Sequence, residues 1–110
     1  MHTIKIKPLS VNKVWQGKRF KTQVYKSYEK ELLYTLPTAK VPKPPYKISY
    51  VFGMSLSSDI DNPVKPFQDI LCKRYNFDDR YIFEINIKKV KVKKGEEFIQ
   101  FDIEHYAEAH

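Results

Sequence analysis

Five aspartates and one lysine recur in the second half of the chain at spacings that suit phosphate or metal chemistry. Asp59 and Asp61 stand two residues apart, and Asp78 and Asp79 are adjacent further along. Residues two apart in an extended chain point the same way, with Cα atoms ~7 Å apart. Converging carboxylates repel one another unless a cation neutralises them, and Mg²⁺ prefers carboxylate oxygen. The spacing predicts a Mg²⁺ site, with Mn²⁺ as an alternative ion. The competing interpretation is that these acids are turn and capping residues.

Lys65 lies four residues after Asp61 and four before Asp69. On a helix this spacing places all three on one face. One interpretation is a solvated ladder of ion pairs, each worth ~0.3–0.5 kcal/mol. The other is a cation beside a metal site, aimed at phosphate. Asn62, followed by Pro63 at the first helical position, is expected to cap this helix.

A second group of residues combines positive charge with an aromatic ring. Residues 1–50 hold 11 Lys and Arg against two acids, and residues 51–110 hold nine against 11, so the halves carry +9 and −2 of the net +7. Such a basic half indicates a polyanionic partner, most commonly nucleic acid. Trp15 lies in this half and either stacks on a base or sugar or anchors the core. The basic residues around it are Lys13, Lys18, Arg19 and Lys21.

Composition excludes several other classes of site. Only three Gly are present, which argues against a Gly-rich phosphate loop, and the single Cys72 rules out an internal disulfide or a Cys-rich zinc site. The three histidines, His2, His105 and His110, form no ligand spacing. No apolar run approaches the ~20 residues of a membrane span, and the first residues lack a signal-peptide core. We therefore expect a cytoplasmic protein with no membrane partner.

The elements that must position these residues form one domain over residues 1–110. Helices are expected over 22–35, with Thr22 as the N-cap, and over 62–75. Strands are expected over 3–7, 46–52, 81–92 and 99–103. This order, strand, helix, strand, helix, strand, strand, predicts an α+β fold with two helices on one face of a mixed sheet.

The last two strands are expected to form a hairpin through the turn Lys94-Gly95-Glu96. The apolar positions of the longer strand change phase along its length, which predicts a bulge near Lys88 or Lys89. The tail from His105 is expected to fray.

Taken in order, these residues resemble the RusA-type Holliday junction resolvases of bacteria and their phages. The resemblance begins with the early segment PLSVNK and a basic, aromatic stretch. It continues with D-x-D-N at 59–62, a Lys four residues later, a further Asp, and a D-D pair before a strand. It covers most of the chain. One departure is the segment SLSS before D-x-D-N, where the family usually has basic residues.

The resemblance implies a function and a role for each matching residue. Asp59, Asp61 and Asp79 match the catalytic, metal-binding carboxylates, and Lys65 matches the essential lysine. Supporting positions are Asn62, Asp69 and Asp78. The family acts as a homodimer that uses Mg²⁺ or Mn²⁺ to nick two strands of a four-way DNA junction symmetrically.

Two alternatives stay open beside this hypothesis. Another metal nuclease that cuts flaps or other branched DNA needs the same ion and the same grip on phosphate. A basic, non-catalytic nucleic-acid-binding module would use the acids only as turn residues. Three carboxylates within ~5 Å of a common point would favour an enzyme, because Mg²⁺ ligands lie ~2.1 Å from the ion.

Overall fold

The computed structural model describes residues 1–107. The helices are α1 (Gln23–Thr35) and α2 (Val64–Tyr75), and short 3₁₀ turns cover Val11–Lys13 and Asp79–Tyr81. The strands are β1 (His2–Ile4), β2 (Trp15–Gln16), β3 (Phe20–Lys21), β4 (Tyr46–Met54), β5 (Ile82–Lys91) and β6 (Phe98–His105). The predicted α+β class with a mixed sheet is confirmed, and β2 and β3 add a small separate hairpin.

The main sheet has the strand order β1-β6-β4-β5. The expected hairpin of the last two strands is therefore wrong, because β4 lies between β5 and β6. β4 takes the central position because it is the most apolar strand, and there Ile48, Tyr50 and Phe52 on its core face are almost fully covered. A strand with that much apolar surface is most stable with a neighbour on each side.

β4 and β5 run parallel and are joined through α2, so β4, α2 and β5 form a βαβ unit. Their register runs Tyr46↔Ile82 and then Lys47↔Glu84, which makes Phe83 the extra residue of a bulge. The bulge expected near Lys88 or Lys89 is wrong, since pairing is regular from Glu84 to Lys91. The apolar phase changes because Ile85 and Ile87 lie on the core face of the sheet, opposite Ile48 and Tyr50, whereas Val90 lies on the other face, opposite Gly53.

Both helices contribute to one core. On α2, Phe67, Ile70 and Leu71 are fully buried, and the Tyr50 hydroxyl donates a 3.0 Å hydrogen bond to Oε1 of Gln68. Burying each large apolar side chain contributes about 1.5–3 kcal/mol before entropy is counted. The core thereby fixes α2, and every residue placed on it, against β4.

The ends of the helices agree with the sequence in one case and not in the other. Thr22 caps α1 as predicted, its Oγ1 accepting from the Tyr25 amide at 3.1 Å. Asn62 does not cap α2, which begins at Val64 after Pro63 with no side-chain cap. Asn62 lies instead in a turn, and its carbonyl accepts the Val11 amide at 2.9 Å, which joins this turn to the N-terminal segment.

The C-terminal end of β6 is longer than expected. The strand includes His105, whose Nδ1 lies 2.9 Å from the carbonyl oxygen of Lys43, so the fraying predicted from His105 onwards does not begin there. Predicted features beyond Ala107, including His110, lie outside the described residues. Among the described helices, none is long and apolar enough to cross a membrane.

Candidate functional site

The Asp59–Asp61 segment forms a loop of overlapping turns between β4 and α2. The Asn62 amide donates to the Asp59 carbonyl at 3.3 Å, and the Val64 amide donates to the Asp61 carbonyl at 3.2 Å. Both aspartate side chains are exposed. The extended geometry expected here is therefore wrong. Two overlapping four-residue turns, over 59–62 and 61–64, replace it, so the two aspartates lie on a curved backbone.

Lys65 is the residue that brings distant acids together. Its ammonium lies 2.8 Å from Oδ1 of Asp69 and 3.2 Å from Oδ2 of Asp79, which follows it by 14 residues. The hydrogen bond to Asp69, together with that to Asp79, raises the pKa of Lys65 in spite of its partial burial. Lys65 is therefore a fixed positive charge at neutral pH, held between one helical and one loop carboxylate.

The two members of the D-D pair have different tasks. Oδ1 of Asp78 accepts the Arg80 amide at 3.0 Å and caps the 3₁₀ turn, while its Oδ2 lies 3.4 Å from Nε of Arg80. Asp78 is thus committed to its own turn. Asp79 instead presents its carboxylate to Lys65. The two carboxylates thus have different partners, and the assignment of the metal site to Asp79, which the resemblance implies, stays a prediction.

The two acidic pairs lie toward opposite ends of β4. Asp59 follows the last residue of β4, Met54, whereas Asp79 precedes β5, which begins beside the first residue of β4, Tyr46. Parallel pairing of β4 and β5 has this consequence, because starts of parallel strands meet at one edge. Within residues 1–107, no three His, Cys, Asp or Glu side chains are grouped so that they could hold a metal ion.

The donor chemistry of the acids nevertheless suits a divalent cation. Asp69 and Asp79 already share one positive charge, the Lys65 ammonium, through one oxygen each. Carboxylate oxygens that converge on an ammonium are of the type that Mg²⁺ and Mn²⁺ take as ligands. In this structure the cation between these two residues is the Lys65 ammonium. That Asp59, Asp61 and Asp79 bind a metal ion stays a prediction.

Cys72 borders the shallow acidic depression next to this group. Asp69, Asp78 and Asp79 line the depression with it. Burial, followed by the charges of Asp79 and Asp69, raises the pKa of the Cys72 thiol to about 11. The free thiol is therefore protonated at neutral pH.

The basic, aromatic segment folds into the β2–β3 hairpin and places its rings in solvent. Trp15 is 51% exposed and Phe20 is 72% exposed, so Trp15 is not a core anchor. The Lys21 ammonium lies 4.8 Å from the centre of the Trp15 ring and 4.2 Å from that of Tyr25. Lys13, Lys18 and Arg19 are exposed on the same short segment. Exposed rings among cations form a surface that suits stacked bases and phosphates.

A cleft of ≈ 760 Å³ leads from this segment to the Asp59 loop. Its basic lining comes from Lys5, Lys7 and Lys13, and its polar lining includes Asn62. The serines of the loop, Ser55, Ser57 and Ser58, line it as well. Sequence reasoning missed Lys5 and Lys7, although their alternation with the buried Ile4 and Ile6 indicated that they point outward.

Lys89 is a second residue that the sequence did not single out. Its ammonium donates to the carbonyls of Leu56, at 2.8 Å, and of Ser58. It thereby ties the loop that carries Asp59 to β5. No sequence signal for this role exists, since the contact depends on the parallel β4–β5 pairing, which places Lys89 opposite Phe52.

No protein-family model and no curated protein matches the chain. The likeness to the resolvases therefore rests only on the order and spacing of the motifs along the sequence.

Proposed function

We propose that this protein is a divalent-metal-dependent endonuclease that cuts branched DNA, with the four-way junction as its substrate and a homodimer as its active form. The observation that carries the proposal is the Lys65 ammonium held between Asp69 and Asp79. This ion pair joins Lys65, which follows the D-x-D-N segment, to Asp79 of the D-D pair, 14 residues further along the chain. The resemblance assigns these two parts of the sequence to one site.

The roles follow from charge. The resemblance assigns Mg²⁺ or Mn²⁺ to Asp59, Asp61 and Asp79. Because Asp59 and Asp79 lie toward opposite ends of β4, these carboxylates would have to approach one another when the ion binds. The ion would then supply an activated water and neutralise charge on the phosphate. Lys65 is protonated, so it cannot accept a proton as a general base. Its contribution is a positive charge that offsets the charge developing on the scissile phosphate. A phosphate that enters the site competes with Asp79 for this ammonium.

The basic surfaces support a nucleic-acid substrate. The β2–β3 hairpin offers exposed Trp15 and Phe20 among cations, and the cleft beside it carries Lys5 and Lys7 toward the Asp59 loop. Contacts of lysine with the DNA backbone position a duplex without reading its sequence. A protein that recognises the branching of DNA needs this kind of grip.

The test is cleavage of four labelled substrates, a four-way junction, a flap, a duplex and a single strand, in Mg²⁺ and in Mn²⁺. We expect the junction to be cut fastest. Asp79→Asn should lower its cleavage by orders of magnitude and leave binding intact or tighter, because a negative charge near phosphate is removed. Asp78→Asn is the matched control and should retain most activity, since Asp78 is bonded to its own turn.

Two results would contradict parts of this proposal. Asp79→Asn cutting at the parental rate would remove Asp79 from the site. A flap cut in preference to the junction would favour the related hypothesis of a flap endonuclease.

A second candidate function is a non-catalytic nucleic-acid-binding module. It is favoured by the pairing of the acids with Lys65 and Arg80, together with the lack of a three-ligand group among the residues described. The same experiment separates the two functions. Tight junction binding without any cleavage by the parent protein in either metal would support the module and reject the nuclease.

A further inference from the structure

β5 is a long edge strand with an open outer side. It has ten residues and pairs only with β4 within residues 1–107. Four of its large apolar side chains are more than one-third exposed, namely Phe83, Ile85, Ile87 and Val90. An exposed edge of this length and composition is a template for pairing with another strand.

The two faces of β5 have different chemistry. Ile85 and Ile87 pair with Ile48 and Tyr50 of β4, so they lie on the core face of the sheet, at its rim. The alternate residues, Glu84, Asn86 and Lys88, lie on the opposite face. A strand added at this edge would cover the two isoleucines.

The sequence of β5 is complementary to itself. We propose that the outer edge of β5 binds β5 of a second copy of this chain, antiparallel, about a two-fold axis at Asn86. In this register Glu84 lies opposite Lys88 of the second copy, and Ile85 lies opposite Ile87 of the second copy. Asn86 meets its own equivalent. Opposite charges and β-branched pairs directly across an antiparallel ladder are the pairs that stabilise it.

The neighbouring register lacks this complementarity. With the two-fold axis at Ile87, Ile85 would lie opposite Lys89 and Glu84 opposite Val90, which pairs apolar with charged side chains. Lys88 is also available as a partner, because it forms no ion pair inside the described part of the chain. Glu84 forms an ion pair with Lys47 at 3.5 Å and accepts a hydrogen bond from Asn86 at 3.0 Å, and Lys88 of the second copy would add to these contacts.

This pairing would give the homodimer of the proposed function its interface, and in that respect it rests on that function. Two four-stranded sheets would join into one of eight strands. The two-fold axis would be normal to the sheet, so both helix layers would lie on the same side. Such an interface is isologous, with the same residues on both copies.

The first test is a charge exchange measured by sedimentation, with no DNA and no metal. The parent should sediment as a dimer. Lys88→Glu or Glu84→Lys alone should raise the dimer dissociation constant about tenfold or more, because each interface holds the altered pair twice. An equimolar mixture of the two variants should restore dimers, since the heterodimer again pairs opposite charges. Lys93→Glu, the same change beyond the strand, should have no effect.

The second test fixes the register and does not depend on the charge variants folding. In a Cys72→Ala background, Asn86→Cys should form an intermolecular disulfide on mild oxidation. Facing Cα atoms of an antiparallel pair lie about 4.5–5.5 Å apart, within the range of a disulfide. Lys88→Cys should not crosslink, because its own equivalent is displaced by four residues, about 13 Å.

A parent protein that is monomeric at every concentration would overturn the proposal. So would a dimer that is indifferent to both charge variants, or one that crosslinks through Lys88→Cys and not through Asn86→Cys. A protein that dimerises through β5 and cuts no DNA would refute only the proposed nuclease activity. A monomer that cuts junctions would refute this interface and the homodimer of the proposed function, and would leave the nuclease activity standing.

Discussion

At the scale of single residues, Lys65 concentrates the chemistry of the candidate site. One ammonium satisfies two carboxylates that belong to different elements, and its side chain is 57% exposed. Exposed ion pairs contribute little to folding, with a median of about 0–1 kcal/mol. Stability alone is thus a weak reason for this arrangement.

Lys65→Ala separates the two interpretations of this residue. We expect the free energy of unfolding to fall by at most about 1 kcal/mol, because the pairs are exposed. Single-turnover cleavage of a junction in saturating Mg²⁺ should fall about a hundredfold or more, as for other lost transition-state contacts. Lys65→Arg should rescue only in part, since its head is larger and planar. Lys73→Ala removes another exposed α2 lysine, paired with Glu29, and is the control. Full activity in Lys65→Ala would mean that Lys65 forms only solvated ion pairs and has no role in cleavage.

At the scale of elements, the central strand β4 depends on a glycine. Gly53 is buried in β4 and lies directly opposite Phe98 of β6. A Cβ built at Gly53 would overlap the side of the Phe98 ring, from Cγ outward. The ring therefore occupies the space that a side chain would take. This contact sets how closely β4 and β6 pack at the end of β4 nearest the Asp59 loop.

Gly53→Ala should lower the free energy of unfolding by about 1–3 kcal/mol, the usual cost of overpacking. In a Phe98→Ala background the same change should cost much less, because the ring is gone. Urea denaturation of the parent, both single variants and the double variant measures the coupling. If the free-energy cost of Gly53→Ala is the same with and without the Phe98 ring, the ring moves away from the new methyl group without penalty.

At the scale of the whole molecule, the core holds several acidic groups in their neutral form. Burial raises the pKa of the hydroxyls of Tyr25, Tyr28 and Tyr50 above the ordinary value of 10.0. Burial likewise raises the pKa of the Cys72 thiol from 9.0 to about 11. A raised pKa in the folded state means that folding favours the protonated group. At alkaline pH the unfolded chain therefore releases protons that the folded chain keeps.

Stability should be constant through neutral pH and should fall as the pH rises above about 9, first through Cys72 and then, above about 10, through the tyrosines. Denaturant midpoints at pH 7, 9, 10 and 11 measure this slope. Tyr28→Phe cannot ionise and should flatten the slope above pH 10 relative to the parent. Equal slopes in the two proteins would show that the Tyr28 hydroxyl ionises as readily in the fold as in the unfolded chain.

Most of the local features of this protein, apart from the cap of α2 and the place of the bulge in β5, were determined by the sequence itself. The Thr22 cap, the helix over 62–75 and the strand over 46–52 are each predicted from neighbours a few residues away. The structure has all three, with element ends within two residues of those expected. The α+β class follows from the order of these elements. The candidate residues also came from the sequence, because their chemistry and spacing are read along the chain.

Only the tertiary structure decided which of these residues meet. A turn at Lys94-Gly95-Glu96 predicts a hairpin, yet β4 lies between the two strands, because pairing on both of its edges stabilises the most apolar strand. That choice makes β5 parallel to β4, which separates Asp79 from Asp59, brings Lys89 to the Asp59 loop and leaves β5 at the edge. Strand order is set by contacts between residues far apart in the chain, and no local pattern encodes it.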